Sequence, residues 1–253
     1  MPEPQKLTEI ERETYAWQLD LPGFDERAQQ KLKGATALVS RCGGLGGPVC
    51  QNLAAAGIGR LILAHAGNLK RSDLNRQILM TEAWLGRPRV QCAAEQLRAL
   101  NPRLEVLAID ANIHSGNAAE LVGQADLVFD CAPLFSERLA MNAECVRQRK
   151  PMIEAGVFGL EGQVTTIVPG TSPCLACLFP NEPPSWRRRF PVLAPVPAVA
   201  AAIAAAEGLK LLTGLGASLV GTLLYFDIST MTFRHVELQR RADCLICGQL
   251  TAP

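Results

Sequence analysis

Two Cys-x-x-Cys pairs, Cys174-Leu-Ala-Cys177 and Cys244-Leu-Ile-Cys247, stand 66 residues apart and constrain the fold more than any other feature of the chain. Each pair presents two thiolates from a short knuckle, and a closed structural zinc site needs four such ligands around one tetrahedral ion. One ion held by all four would tie the C-terminus back onto the middle of the chain. A redox pair would be expected once, at a helix start, and not twice in loop-like surroundings. No histidine is placed to complete an open coordination sphere, so the expected ion is structural. His65, His114 and His235 are scattered, and none receives a role. Nine cysteines behind a polar, acidic start (Met1 to Glu13) imply free thiols in a reducing cytoplasm.

The rest of the chain alternates strand and helix patterns. Thr8 and Glu11 have capping-box spacing, which predicts a helix running toward Leu19. Buried-strand runs follow at Ala35–Ser40, Arg60–Ala64, Leu104–Ile109, Ala125–Asp130 and Met152–Ala155. Helical periods occupy the intervals, from Pro48 to Gly57 or Gly59, Gly86–Leu100, Asn117–Val122 and Ser136–Gln148. This alternation predicts an α/β, Rossmann-like, doubly wound and mostly parallel sheet. After Gly162 the texture changes, and Gln163–Val168, Leu223–Asp227 and Phe233–Leu238 read as a mixed or antiparallel continuation. No linker is evident, so residues 1–253 are expected to form one domain. Its halves are a nucleotide-binding-like 1–160 and a zinc-tied 161–253.

Net charge +1 and 5% aromatic residues argue against nucleic-acid binding, which needs a basic face or stacking platforms. The most apolar stretch, Phe190–Ala206, holds Pro191, Pro195 and Pro197 and runs into Glu207 and Lys210. A membrane span wants about 20 strongly apolar residues, so a buried helix is expected instead. The basic run Trp186-Arg-Arg-Arg-Phe190 reads as a solvated loop, the alternative being a grip on an acidic tail or phosphates.

The turn after the first strand, Gly43-Gly44-Leu45-Gly46, opens a helix. Glycines there let the backbone approach a phosphate, and the helix start offers free N–H groups. They also serve tight strand–helix packing, and these residues alone do not separate the two uses. The G-x-G-x-x-G pattern is not met, because Arg41 holds the place of its first glycine. The second strand ends in His65-Ala66-Gly67, where a dinucleotide fold wants an acid.

Taken in order, these segments resemble the ThiF/MoeB/HesA family, bacterial relatives of ubiquitin-activating enzymes. The likeness runs from about Tyr15 to Cys247. It is carried by Gly43–Gly46, Leu53-Ala-Ala-Ala-Gly57-Ile-Gly59, Ser72-Asp-Leu-Asn-Arg-Gln77, Asn101-Pro102, Asp126–Cys131, Arg138 with Asn142, Gly162-Gln-Val164, Glu207–Lys210 and both knuckles. The resemblance implies binding of Mg·ATP and adenylation of the C-terminal glycine of a ubiquitin-like sulfur carrier of the ThiS or MoaD type, by a homodimer. It places Asp130 at the magnesium-associated aspartate, Arg76 at the phosphate-contacting arginine with Asn75 beside it, and Arg89 where the family has a lysine.

Other family positions differ. The D-x-D of the second strand is His65-Ala66-Gly67, the asparagine before Leu74 is Asp73, and the polar trio after Cys131 is Ala132-Pro133-Leu134. Both arginines of the N-terminal segment are missing from Thr14-Tyr15-Ala16-Trp17-Gln18, and Arg187 stands at the place of a catalytic cysteine. Cys131 and Cys145 are the remaining candidates for that cysteine. Each lost transition-state contact costs about 3 kcal/mol, which argues against efficient use of Mg·ATP. The expectation is a pseudoenzyme that binds a sulfur carrier or an active paralogue. The alternative is an active adenylyltransferase with a rebuilt site, and hydride chemistry on a dinucleotide is the weakest reading. Arg41, Arg76 and Arg89 together predict a basic pocket around Gly43, Gly44 and Gly46.

Overall fold

The computed structural model describes residues 5–183 and 189–251. Helices α1 (Glu9–Thr14), α2 (Ala16–Leu19) and α3 (Glu26–Gly34) lead into β1 (Thr36–Ser40), α4 (Gly46–Ala56) and β2 (Arg60–Ala64). Then come α5 (Arg89–Leu100), β3 (Glu105–Ile109), α6 (Ala118–Gly123), β4 (Leu127–Asp130), α7 (Phe135–Arg147) and β5 (Met152–Phe158). The chain closes with β6 (Glu161–Ile167), α8 (Leu175–Leu178), α9 (Pro195–Thr213), β7 (Thr222–Asp227) and β8 (Thr232–Glu237).

All eight strands form one sheet in the order β3-β2-β1-β4-β5-β6-β7-β8. The first five run parallel, and β6, β7 and β8 continue antiparallel. The direction changes at the tight turn of Gly159 and Leu160. Strand periodicity distributes the core to both faces of the sheet. Ala37, Val39, Leu61, Leu63, Leu127 and Phe129 pack among α3, α4, α5 and α9. Their alternates Leu38, Ile62, Ala64 and Val128 face Leu121, Met141, Cys145 and the four knuckle cysteines.

The capping box forms as the spacing predicts: Thr8 Oγ1 accepts from Glu11 N–H, and Glu11 accepts from Thr8 N–H. The helix it starts does not run unbroken to Leu19, because Tyr15 leaves helical geometry and divides it into α1 and α2. The helix expected from Gly86 begins instead at Arg89. Gly86 has φ +78, and Pro88 caps α5 from outside it. Gly57 and Gly214 end α4 and α9 in the left-handed conformation that favours glycine.

Helix α9, 19 residues with mean hydropathy 1.5, is long and apolar enough to cross a membrane, but half of it is buried inside the fold. It packs against α3, α4, β5 and β6. Its buried Glu207 accepts hydrogen bonds from Thr166 Oγ1 and Leu219 N–H and pairs with Lys210. A core helix accounts for all of these contacts.

Candidate nucleotide cleft and four-cysteine centre

Strand order reverses between β1 and β4, and ligands of open α/β sheets sit outside the carboxyl ends of the strands at such a point. A cleft of about 390 Å³ opens there. At one end it is walled by Arg41, Gly43 and Gly44 from the loop after β1, His65 after β2, then Asp73, Arg76, Gln77 and Arg89. Cys131, Ala132 and Arg138 line its middle, with Glu154 and Gln163 from the β5–β6 pair. The far end is more apolar, with Phe135, Val157, Phe158, Phe179, Phe190, Val192 and Tyr225. Phe135 meets Phe179 edge-on at 4.9 Å, and Phe158 stacks on Phe190 at 6.2 Å.

The glycine loop is built by close approach. A Cβ on Gly46 would lie 2.1 Å from the carbonyl oxygen of Arg41, so only glycine lets α4 start against β1. Gly46 therefore supports the loop without lining the cleft. Arg41 itself has φ +67, a left-handed conformation uncommon outside glycine, at the place of the missing loop glycine. Its side chain is 5% exposed and the guanidinium forks onto Glu137, with Nε donating at 2.8 Å and Nη2 also donating.

The other arginines are likewise engaged. Arg89 donates to the carbonyls of Gly67 (3.0 Å) and Asn68 and pairs with Asp73 at 3.3 Å. Arg76, half-buried above Gly44, donates to Asn75 Oδ1 and Ser72 O and lies 3.7 Å from Asp73. Asn75 thus positions Arg76 without reaching the cleft wall. Arg138 donates to Glu154 at 2.6 Å and to the carbonyls of Ala132 and Ala155, and it lies 3.4 Å from Asp130. Gln163 donates to both oxygens of Glu154.

The arginines expected to make the pocket basic each have an acidic partner within the chain. Among the described residues, four arginines (41, 76, 89, 138) face four carboxyl groups (Asp73, Asp130, Glu137, Glu154) in and behind the wall. Asp130 lies behind the wall with no exposed surface. Burial pushes its carboxyl up to about 7, reinforced by Glu154 and Glu137 and opposed by Arg138 and the Ala132 N–H. Asp130 and Arg138 were readable from the sequence. Glu137 and Glu154 were not, because neither stands in a pattern that says which strand end or helix turn it will face.

No cysteine in this region is poised as a thiolate among the described residues. Burial pushes the thiols of Cys131 and Cys145 well up and that of Cys42 up to about 12, the last beside His65 Nδ1 at 3.6 Å. Arg187, with Trp186 and Arg188 of the basic run, lies outside the described residues.

The two knuckles do come together. Cys174, Cys177, Cys244 and Cys247 hold their sulfurs within 4.8 Å of one another, with Cys174–Cys244 at 3.7 Å and Cys177–Cys247 at 3.4 Å. A tetrahedron of four 2.3 Å metal–sulfur bonds has sulfurs about 3.8 Å apart, so the donor set fits one metal ion. All four side chains are buried. Asn142 Oδ1, on α7, accepts from Leu175 N–H at 2.8 Å and fixes the first knuckle. Burial raises the Cys244 thiol, but the N–H groups of Cys247 and Ile246 together with the Cys177 and Cys174 thiols bring it down to about 7.

The model of the ThiF family matches residues 15–246, nearly the whole described fold, from Tyr15 through the first knuckle to Ile246 of the second. The chain belongs to the ThiF family. It is 47% identical to Protein HesA, heterocyst, of Trichormus variabilis over 242 residues, 96% of this chain and 91% of that protein. It is 36% identical to the sulfur carrier protein adenylyltransferase of Thermus thermophilus over 252 residues, 96% of this chain and 93% of that one. Among solved structures it resembles E. coli MccB with ATP, with TM-score 0.79 and 27% identity, covering 88% of this chain and 69% of that one. Kinship with sulfur-carrier adenylyltransferases, the mostly parallel α/β sheet and the four-cysteine cluster therefore agree.

Proposed function

We propose that this ThiF-family protein binds a ubiquitin-like sulfur carrier, or an active paralogue, while the phosphate end of its cleft is neutralised from within and does not support efficient adenylation. The observation that carries the reading is the pairing, among the described residues, of every arginine lining the cleft with a carboxylate or carbonyl of the chain itself. A triphosphate brings several negative charges and needs cations that are not already satisfied. Asp130, the candidate magnesium ligand, is buried against Arg138, and burial disfavours the charged form a magnesium ligand needs. The apolar far end of the cleft suits an extended, glycine-ended peptide tail. Zinc is the ion assigned to the four thiolates, since four sulfurs in a closed tetrahedron suit it and leave no open position. A homodimer in a reducing cytoplasm completes the reading, and the exposed apolar side chains Ile10, Trp17 and Leu21 near the N-terminus support association.

A second reading is an active adenylyltransferase of a sulfur carrier. Arg76 still stands over the glycine loop, and the Thermus relative carries that activity in its name. Calorimetric titration of the zinc-loaded protein with Mg·ATP separates the two. No heat at millimolar ATP is expected. Micromolar binding that weakens in Asp130→Ala, followed by carrier-dependent pyrophosphate exchange, would establish the second reading instead.

A further inference from the structure

Arg41 and Glu137 come from opposite sides of the switch point. Arg41 follows β1, and Glu137 lies in the first turn of α7, which follows β4. Their buried fork therefore spans the crevice where these two neighbouring strands send their loops apart. A second tie lies below it: Ser40 Oγ donates to Phe129 O at 3.2 Å and accepts from Cys131 N–H at 2.9 Å. Arg41 contributes to the cleft wall and Glu137 lies behind it. Glu137 occupies Nε and Nη2, and Nη1 makes no hydrogen bond among the described residues.

We propose that Arg41 is a phosphate-contacting residue held in reserve, and that Glu137 sets how strongly the cleft binds phosphate groups. Arg41 presents five N–H donors in a planar fork, a geometry that suits a phosphate as well as it suits a carboxylate. While Glu137 holds it, the guanidinium adds no net charge to the cleft, and the carboxylate itself repels an approaching anion. A phosphate group must then compete with a buried partner at hydrogen-bonding distance, which no exposed arginine would require. This deepens the reading of a neutralised site, on which it rests, by assigning much of the neutralisation to one pair.

The test uses the full-length, zinc-loaded protein with inorganic pyrophosphate and Mg·ATP as probes. Glu137→Gln keeps the shape of the side chain and one acceptor oxygen but removes the charge. Its affinity for pyrophosphate is expected to rise about ten- to a hundredfold, the worth of one charge-assisted hydrogen bond. The gain is expected to disappear in Arg41→Gln/Glu137→Gln. Should Glu137→Gln not fold, Glu137→Asp, which shortens the reach of the carboxylate, is expected to give a smaller gain in the same direction. Unchanged affinity in the folded single variant, or a gain that survives loss of Arg41, overturns the proposal. Tight Mg·ATP binding by the unaltered protein overturns the neutralised-site reading alone. A further gain in Glu137→Gln on top of that binding would leave the Arg41–Glu137 assignment standing.

Discussion

A carboxyl group with no exposed surface, two acidic neighbours and one nearby guanidinium has its charge governed first by burial. Asp130 is in that position, with its carboxyl raised from 3.8 to about 7. Between those values the folded chain keeps a proton that the unfolded chain releases, so this group makes stability fall as pH rises from about 4 to 7 and level off above it. The slope it contributes is at most about 1.4 kcal/mol per pH unit. Asp130→Asn is expected to lose that slope, so the variant gains on the unaltered protein as pH rises. Urea unfolding of both proteins at pH 5 and pH 8 measures it; parallel changes in the two would refute the assignment. The place of Asp130 at a strand end was legible in its apolar run. Its charge state was not, because Glu137 and Glu154 lie on α7 and β5 and reach it only through the fold.

At the scale of elements, caps and periods set most boundaries. The capping box, the glycine end of α4 and the alternating strands were all visible as patterns. The two departures, at Tyr15 and Gly86, occur where a helical period continues across residues whose backbone leaves the helix. The glycine loop separates two roles that a sequence pattern cannot distinguish. Gly46→Ala would press a Cβ into the Arg41 carbonyl, which is backbone and cannot swing aside. It is expected to cost roughly 3 kcal/mol or more. Gly86 also has positive φ but meets nothing within 4 Å, so Gly86→Ala is expected to cost only about 1 kcal/mol. Thermal unfolding of the two variants side by side checks the ranking, and equal losses would show that the close approach at Gly46 is relieved at little cost.

Across the whole molecule, the four-cysteine centre joins α8 and its N-cap to the segment after β8. Without an ion, four buried thiols are left with weak mutual contacts, and the chain beyond β8 is held otherwise by Arg240 on Gly170, Arg149 on Thr251 and the packing of Leu250. Stripping the metal with a strong chelator is expected to destabilise the protein by several kcal/mol and to raise hydrogen exchange first in residues 240–251. Uniform exchange across that segment before and after chelation would mean that the cysteines do not depend on an ion for their arrangement.

Local chemistry determined what could be read along the chain. Strand and helix periods, glycine turns and two knuckles announced a doubly wound sheet with a four-thiolate tie, and ordered motifs pointed to the family. Those features depend on neighbours a few residues away or on ligand spacing that repeats. Only the tertiary structure decided the electrostatics of the cleft. Arg41 and Glu137 are 96 residues apart in sequence, and Arg138 and Glu154 are 16 apart. Whether an arginine is free for a ligand or already held depends on which carboxylate the fold brings to it.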